Sequence, residues 1–379
     1  MIHVQHLLGI GHLQRAISLG EVLQAHGFDV TLVSGGMPST RPAAQKPALI
    51  QLPPLRSPDG SFATLLDVED RPVNDAWRDN RRDQLLGIFE ELNPEILLTE
   101  TFPFGRRMLR FELIPLLEAA RNSANCRLVF SSIRDILQPK RKAGREAEIV
   151  ELIDKYYDRI LVHGDPRVVR LEDSFGAAGQ LSEKISYTGY ISEKQRQETT
   201  VKDSGEVLVS AGGSGTGLDL LRTAIAARAL SCLADQPWRI LVSHAISEEQ
   251  FAELQLAAPR GVVVERNRSD FASLLAGSIL SVSQAGYNTM VDLFSTSTPA
   301  VVAPYAEAEE LEQSIRADRL EQLGRVAVVR ETDLEPASLA RAIDRAHAMT
   351  PRVDIDLDGA RHSAELIEQA YRTVIEANS

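Results

Sequence analysis

The chain has only two cysteines in 379 residues, Cys126 and Cys232, one in each half and both among apolar neighbours. Two distant cysteines exclude a disulfide framework and the spacing of a cysteine zinc site, and a reducing cytoplasm is the simple inference. No stretch is long and apolar enough to cross a membrane. Strand-like sequence begins at Ile2 with no basic region or cleavage site ahead of it, so no secretion signal is expected. A basic excess is missing as well: 41 Lys and Arg against 53 Asp and Glu leave a net charge of −12. That balance argues against a general nucleic-acid binder, which needs a basic surface, but not against one bound nucleotide held by backbone amides. What remains, 44% hydrophobic and 25% charged residues over this length, suggests a soluble enzyme of two domains.

Hydrophobic periodicity alternates between strand and helix throughout. His3 to Leu8 reads as a strand, Gly9-Ile10-Gly11-His12 as a turn, Leu13 to Ala25 as an amphipathic helix and Asp29 to Val33 as the next strand. A Pro-rich stretch from Pro53 to Asp70 is a candidate substrate-facing loop. Helix Asn74 to Leu92, strand Glu95 to Thr99, helix Arg107 to Arg121 and strands Arg127 to Phe130, Arg159 to Val162 and Ile185 to Tyr187 follow. The second half repeats the logic: strand Val207 to Val209, the glycine-rich loop Ser210 to Gly217, helix Leu218 to Leu233, strand Trp238 to Val242, strand Gly261 to Val264 and helix Phe271 to Ala276. The expected architecture is α/β, two doubly wound domains facing a cleft. Their limits are expected at 1–190 for the N-terminal domain, 191–205 for the linker, 206–359 for the C-terminal domain, and 360–379 for a last helix.

The richest stretch runs from Ser278 to Gln313. An apolar run ends in Ser283-Gln284-Ala285-Gly286 and passes into a helical period, so a helix N-terminus meets the carboxyl end of a strand, where phosphate is attracted. Asn288, Thr289 and Asp292 recur on one face of the first turns. A buried-type strand, Pro299 to Ala303, then leads to an acid- and amide-rich segment containing Glu312 and Gln313.

These residues carry a resemblance. The Gly-Ile-Gly-His turn ending at His12, the Val-Ser-Ala-Gly-Gly-Ser-Gly around Gly212, and the Ser-Gln-Ala-Gly-Tyr-Asn-Thr around Gly286 with its later Pro-Ala-Val-Val-Ala-Pro-Tyr and Glu-Gln resemble the MurG-like family of GT-B glycosyltransferases. The resemblance implies inverting, metal-independent transfer of a sugar from a nucleoside diphosphate, usually uridine, to an acceptor on the N-terminal domain, with no cofactor besides that co-substrate. It assigns Ser210, Gly212, Gly213 and Ser214 to a diphosphate-facing loop and Gln284, Ala285, Gly286, Asn288 and Thr289 to a second phosphate-proximal turn. Asp292 takes the ribose position, Glu312 and Gln313 the donor sugar, and Asn267 and Arg268 the base. Gly9 and Gly11 form the acceptor-side turn, and the last helix is implied to pack on the N-terminal domain. Two departures stand out: Gly189 to Glu193 lacks the family's arginine, and Asp292 replaces a longer Glu.

His12 is the expected general base, because a helix N-terminus disfavours the imidazolium and keeps the ring neutral. Its acidic partner is either Glu100 or Asp135. Arg106, Arg107 and Arg110 and the run Lys140 to Lys142 with Arg145 read as solvated faces. An anionic acceptor, or weak peripheral membrane contact through the N-terminal domain, is the alternative. Asp354, Asp356, Asp358, Gly359 and Glu365 satisfy EF-hand spacing, but Pro351 and Arg361 weigh against calcium, and Asp358 reads better as a helix cap. A dehydrogenase is disfavoured by Gln14 and by the absence of an acid after Ser34-Gly35-Gly36. An epimerase or hydrolase of the same fold, and a non-catalytic nucleotide-sugar binding protein, remain as alternatives.

Overall fold

The computed structural model describes residues 1–7, 10–38, 47–58, 64–138, 144–192, 204–213, 215–306, 311–351 and 354–377. The chain groups into two compact units: Met1–Pro166, Phe175–Glu193 and Asp358–Ser379 in one, Arg167–Ser174 and Lys194–Leu357 in the other. The short stretch Arg167–Ser174 belongs with the second unit, although it lies inside the range that the sequence assigns to the first. The ion pair between Arg319 and Asp173, 2.6 Å, helps to hold it there. No described helix is long and apolar enough to cross a membrane.

The first unit is built on β1 (Ile2–Val4), α1 (Gly11–Ala25), β2 (Thr31–Ser34), β3 (Ala48–Gln51), α2 (Asp75–Leu92), β4 (Ile96–Glu100), α3 (Arg110–Asn122), β5 (Leu128–Arg134), α4 (Arg145–Tyr156), β6 (Arg159–His163) and β7 (Ile185–Tyr187). Its sheet runs β3-β2-β1-β4-β5-β6-β7, every pairing parallel. Parallel strands are covered on both faces, which is why β1 and most of β4 and β5 are continuously buried. Strand order reverses between β1 and β4, and the crevice at such a reversal is where open α/β sheets bind ligands.

The second unit follows the same plan: β8 (Val207–Ser210), α5 (Leu218–Ala227), β9 (Trp238–Val242), α6 (Glu248–Ala257), β10 (Val262–Arg266), α7 (Phe271–Ala276), β11 (Leu280–Ser283), α8 (Tyr287–Phe294), β12 (Ala300–Val302), α9 (Glu312–Gln322), β13 (Ala327–Val328) and α10 (Pro336–His347). Here the order is β10-β9-β8-β11-β12-β13, again parallel, with the reversal between β8 and β11. Each unit has its own apolar core.

The chain ends in α11 (Gly359–Ala377), which belongs to the first unit. Its buried Ala364 and Ile367 join Leu13, Ala16, Leu19 and Leu23 of α1 in one cluster, and Tyr371 meets Phe28 edge-on. The start of α11 lies against the chain following β7, where Ile191 bridges Asp358. A Cβ on Gly359 would sit 2.3 Å from Gly189 O and 2.7 Å from Tyr190 O, and neither backbone carbonyl can swing aside. Gly359→Ala is therefore expected to cost roughly 1–3 kcal/mol, read as a lowered urea midpoint. Gly87→Ala is the control, since its Cβ would meet nothing within 4 Å on an exposed face of α2 and alanine favours helix.

Four elements escape the sequence reading. β3 is a short, half-exposed edge strand. α6 buries only Leu254 and leaves Leu256 90% exposed, so it has almost no apolar stripe. β13 is two residues long. α4 does carry a periodic stripe, Ile149, Ile153 and Tyr156, hidden in sequence by its dense charges.

Candidate active site

In the first unit the reversal point brings two chain segments together. β1 pairs with β4, so the helix that follows β1 and the end of β4 meet at the same edge of the sheet. Gly11 and His12 prove to be the first two residues of α1 rather than part of the preceding turn, while Gly9 lies outside the described residues. His12 Nδ1 is 2.8 Å from Glu100 Oε2, which decides between the two acids expected from sequence. Asp135 is occupied elsewhere: its carboxylate accepts from Tyr190 Oη at 2.9 Å and from the Ile136 N–H.

Glu100 is fully engaged. Arg15, one helical turn beyond His12 in α1, pairs with its other oxygen, and Thr101 Oγ1 donates to Oε2 at 2.5 Å. Burial opposes charge on Glu100, but His12 and Arg15 outweigh it and hold the carboxyl well below the usual range. Burial likewise acts on His12, whose side chain is 15% exposed. Glu100 pulls the other way, but Arg134 and Arg15 add positive charge nearby, and the pKa falls to about 3. The imidazole is neutral at pH 7, with its Nδ1 proton on the Glu100 carboxylate. Nε2 then has a free lone pair and no hydrogen-bond partner among the described residues. His163 is the contrast: Ser132 and Thr188 occupy both of its ring nitrogens, as befits a structural histidine.

In the second unit the two expected turns flank the other reversal point. Ser210 and Ser283 end β8 and β11 as register partners, and both hydroxyls are buried without a hydrogen bond. Ser283 opens the second turn in the sequence reading but is given no role there; a second serine at the matching strand end is the signal that could have found it. After Ser210, the loop is fixed by its carbonyls: Gly212 O accepts from Asn267 Nδ2 at 2.9 Å and Gly213 O from Ser243 Oγ at 2.8 Å. Ser214 lies outside the described residues. Gly217 needs its φ of +101°, and a Cβ there would strike Ala211 and Gln284. Gly213 and Gly286 differ: a Cβ on either would meet nothing within 4 Å among the described residues, and Gly286 has an ordinary φ of −62°. Packing does not require glycine at these two positions, whereas a ligand seated on the backbone would.

Gly286 is the N-cap of α8, with extended φ and ψ of −62° and 144°. The positive end of the α8 dipole lies at this turn. Beside it Gln313 Oε1 accepts from the Ala285 N–H at 3.0 Å and the Tyr305 N–H at 3.2 Å, leaving its NH₂ end to point elsewhere. Arg316, fully buried under the Tyr287 ring, donates to Ala285 O at 2.7 Å and pairs with Glu312 at 2.9 Å. This brace was not foreseen. Asn288 is exposed and Thr289 and Asp292 are half-buried on α8, while Arg268 pairs with Asp270 at 2.7 Å.

Residues 207–365 match the model of the glycosyltransferase family 28 C-terminal domain. This part of the chain is similar to the family 28 glycosyltransferase C-terminal domain. A relative by sequence is the UDP-N-acetylglucosamine--N-acetylmuramyl-(pentapeptide) pyrophosphoryl-undecaprenol N-acetylglucosamine transferase of Thermotoga neapolitana, 26% identical over 168 residues. That match covers 43% of this chain and 45% of the relative, so the chain spans less than half the length of the relative it matches. Similar solved structures include the kitacinnamycin glycotransferase, 18% identical with a TM-score of 0.64 over 97% of this chain and 98% of that one. Acinetobacter baumannii MurG is 15% identical with a TM-score of 0.58 over 97% and 98%. The fold is GT-B. Both glycine turns, and every donor-side residue expected from sequence, fall inside the matched residues 207–365.

The EF-hand spacing has a different basis. Gly359 is required by the carbonyls it packs against, and Glu365 pairs with Arg361 at 2.7 Å. Asp356, Asp358 and His362 do lie within 4.8 Å of one another at the start of α11.

Proposed function

We propose that the protein is an inverting glycosyltransferase, moving a sugar from a nucleoside diphosphate, uridine by preference, to an acceptor hydroxyl without a metal ligand. The observation that carries the reading is the family 28 match falling on the unit whose Gly213 and Gly286 turns are open where a ligand would rest. Uridine is favoured because the Thermotoga relative is named for a UDP sugar. The acceptor oxygen bonds to the sugar C1 as its proton passes to His12 Nε2. The bond from C1 to the diphosphate oxygen breaks, and its electron pair leaves with the nucleotide. Attack opposite the leaving group inverts C1. Glu100 offsets the imidazolium that forms, and Arg15 keeps Glu100 ionised. First-turn N–H groups and the dipole of α8 take up charge on the departing diphosphate, which is the task a metal performs in other sites. A cytoplasmic setting fits two free cysteines, Cys126 and Cys232.

The test is a thermal-shift screen of UDP, dTDP and GDP sugars, followed by mass spectrometry of products with and without candidate acceptors and EDTA. A UDP sugar is expected to raise Tm, and a glycosylated product to form at the same rate in EDTA. Hydrolysed or epimerised donor without acceptor would point to the enzymatic alternatives, and stabilisation without turnover to a binding protein. Activity lost in EDTA and restored by manganese would overturn the metal-free step.

A further inference from the structure

Arg106 is not the solvated charge that its sequence neighbourhood suggests. Arg107 and Arg110 beside it do pair with Glu148 and fit that description. Arg106 is half-buried at the end of the loop after β4, where Thr101 and Arg106 hold left-handed φ values of +69° and +58°. The loop between them is anchored by Phe102 and Phe104, each 1% exposed, and by Thr99 and Ser131 hydroxyls donating to Phe102 O. A guanidinium on so rigid a loop is pre-positioned.

Arg106 Nε donates to Gln5 O at 2.9 Å, just beyond β1, and the side chain makes no other hydrogen bond or ion pair among the described residues. The chain treats its structural arginines otherwise. Arg81, fully buried, makes bonds of 2.6 to 3.2 Å to Glu112, Gln5, Gly35 and Pro53, which satisfy its whole fork. Arg325 spends its terminal nitrogens on the carbonyls of Leu293, Thr296 and Thr298. A charge taken partly out of water without a partner is costly and needs a reason. Arg106 is also close enough to act on the Glu100 carboxyl, whose charge Arg15 already offsets. Arg134 and Arg15 act on Arg106 as like charges from nearby.

We infer that the Arg106 fork receives an anionic group, a phosphate or a carboxylate, carried by the acceptor next to the hydroxyl that His12 deprotonates. This rests on the transfer reading above and narrows its acceptor to an acid. Two parallel N–H groups at a fixed site match either anion bidentately, and lysine would not replace them.

Calorimetry at low ionic strength with phenyl phosphate, benzoate and the neutral benzyl alcohol tests it, on wild type, Arg106→Gln and Arg106→Lys, each with saturating UDP. One of the two anions is expected to bind wild type, and which one it is tells phosphate from carboxylate. Affinity should fall at least tenfold in Arg106→Gln and less in Arg106→Lys, with benzyl alcohol silent throughout and UDP affinity unchanged in all three. Equal anion affinity in wild type and Arg106→Gln, or no anion binding by wild type, overturns the inference. Failure of wild type to bind UDP is a separate result, which sinks the transfer reading instead.

Discussion

His12→Ala should lower turnover by about 10²- to 10⁴-fold, the range of general-base assistance, while UDP affinity stays within about twofold of wild type. The separation is expected because His12 stands on the first unit and every donor-side residue on the second. His12→Gln keeps a polar side chain of similar reach but cannot take a proton, so it should be as slow. Glu100→Gln should fall between these variants and wild type: it can still accept the Nδ1 hydrogen bond but no longer offsets the imidazolium. The pH profile gives a sharper reading. An ordinary histidine base would titrate near 6.5, but burial and Arg134 depress His12 to about 3 against the pull of Glu100. The base is thus neutral and competent at every pH above that value. kcat/KM in wild type should stay level from pH 8 to below 6, with any histidine limb displaced well to the acid side and missing in His12→Gln. A His12→Ala protein with most of its turnover, or one that also loses donor affinity and its fold, would show His12 to be structural.

How much of this was legible in sequence divides along one line, between signals that are local and signals that need a partner. The two glycine turns were legible, because a strand, a small-residue turn and a helix are written in consecutive residues. His12 was legible for the same reason, as the histidine of a strand-to-helix turn. Its acid was not. Glu100 and Asp135 both end strands in sequence, and only the pairing of β1 with β4, together with the Tyr190 hydroxyl on Asp135, separates them. Arg106, Arg107 and Arg110 are indistinguishable as letters, yet one is turned inward by a left-handed backbone and two reach Glu148. Gly35 and Gly36 look like an idle loop. In fact a Cβ on either would strike Arg81 and Gln5 or the His6 ring at 2.1 to 2.3 Å. The glycines that look alike in sequence therefore serve two ends: Gly35, Gly36, Gly217 and Gly359 make room for protein, and Gly213 and Gly286 leave room for something else.

That distinction yields the second large effect. Gly213→Val and Gly286→Val should each reduce UDP affinity at least tenfold, about 1.4 kcal/mol, while unfolding midpoints move by no more than about 0.5 kcal/mol. Stability is expected to hold because a Cβ at either position meets nothing within 4 Å among the described residues and neither glycine has a left-handed φ. Affinity is expected to fall because the added methyls occupy the space over the β8 loop and over the start of α8, where a diphosphate would approach the backbone. Gly217→Val is the informative comparison: its φ of +101° and the 2.6 Å approach to Ala211 Cβ make glycine a structural need. It should lose stability and UDP binding together. Calorimetry paired with urea melts on the three variants separates the cases. If Gly213→Val and Gly286→Val bind UDP as wild type does, the open space above these turns is not the donor site, and the nucleotide must be sought elsewhere on the second unit.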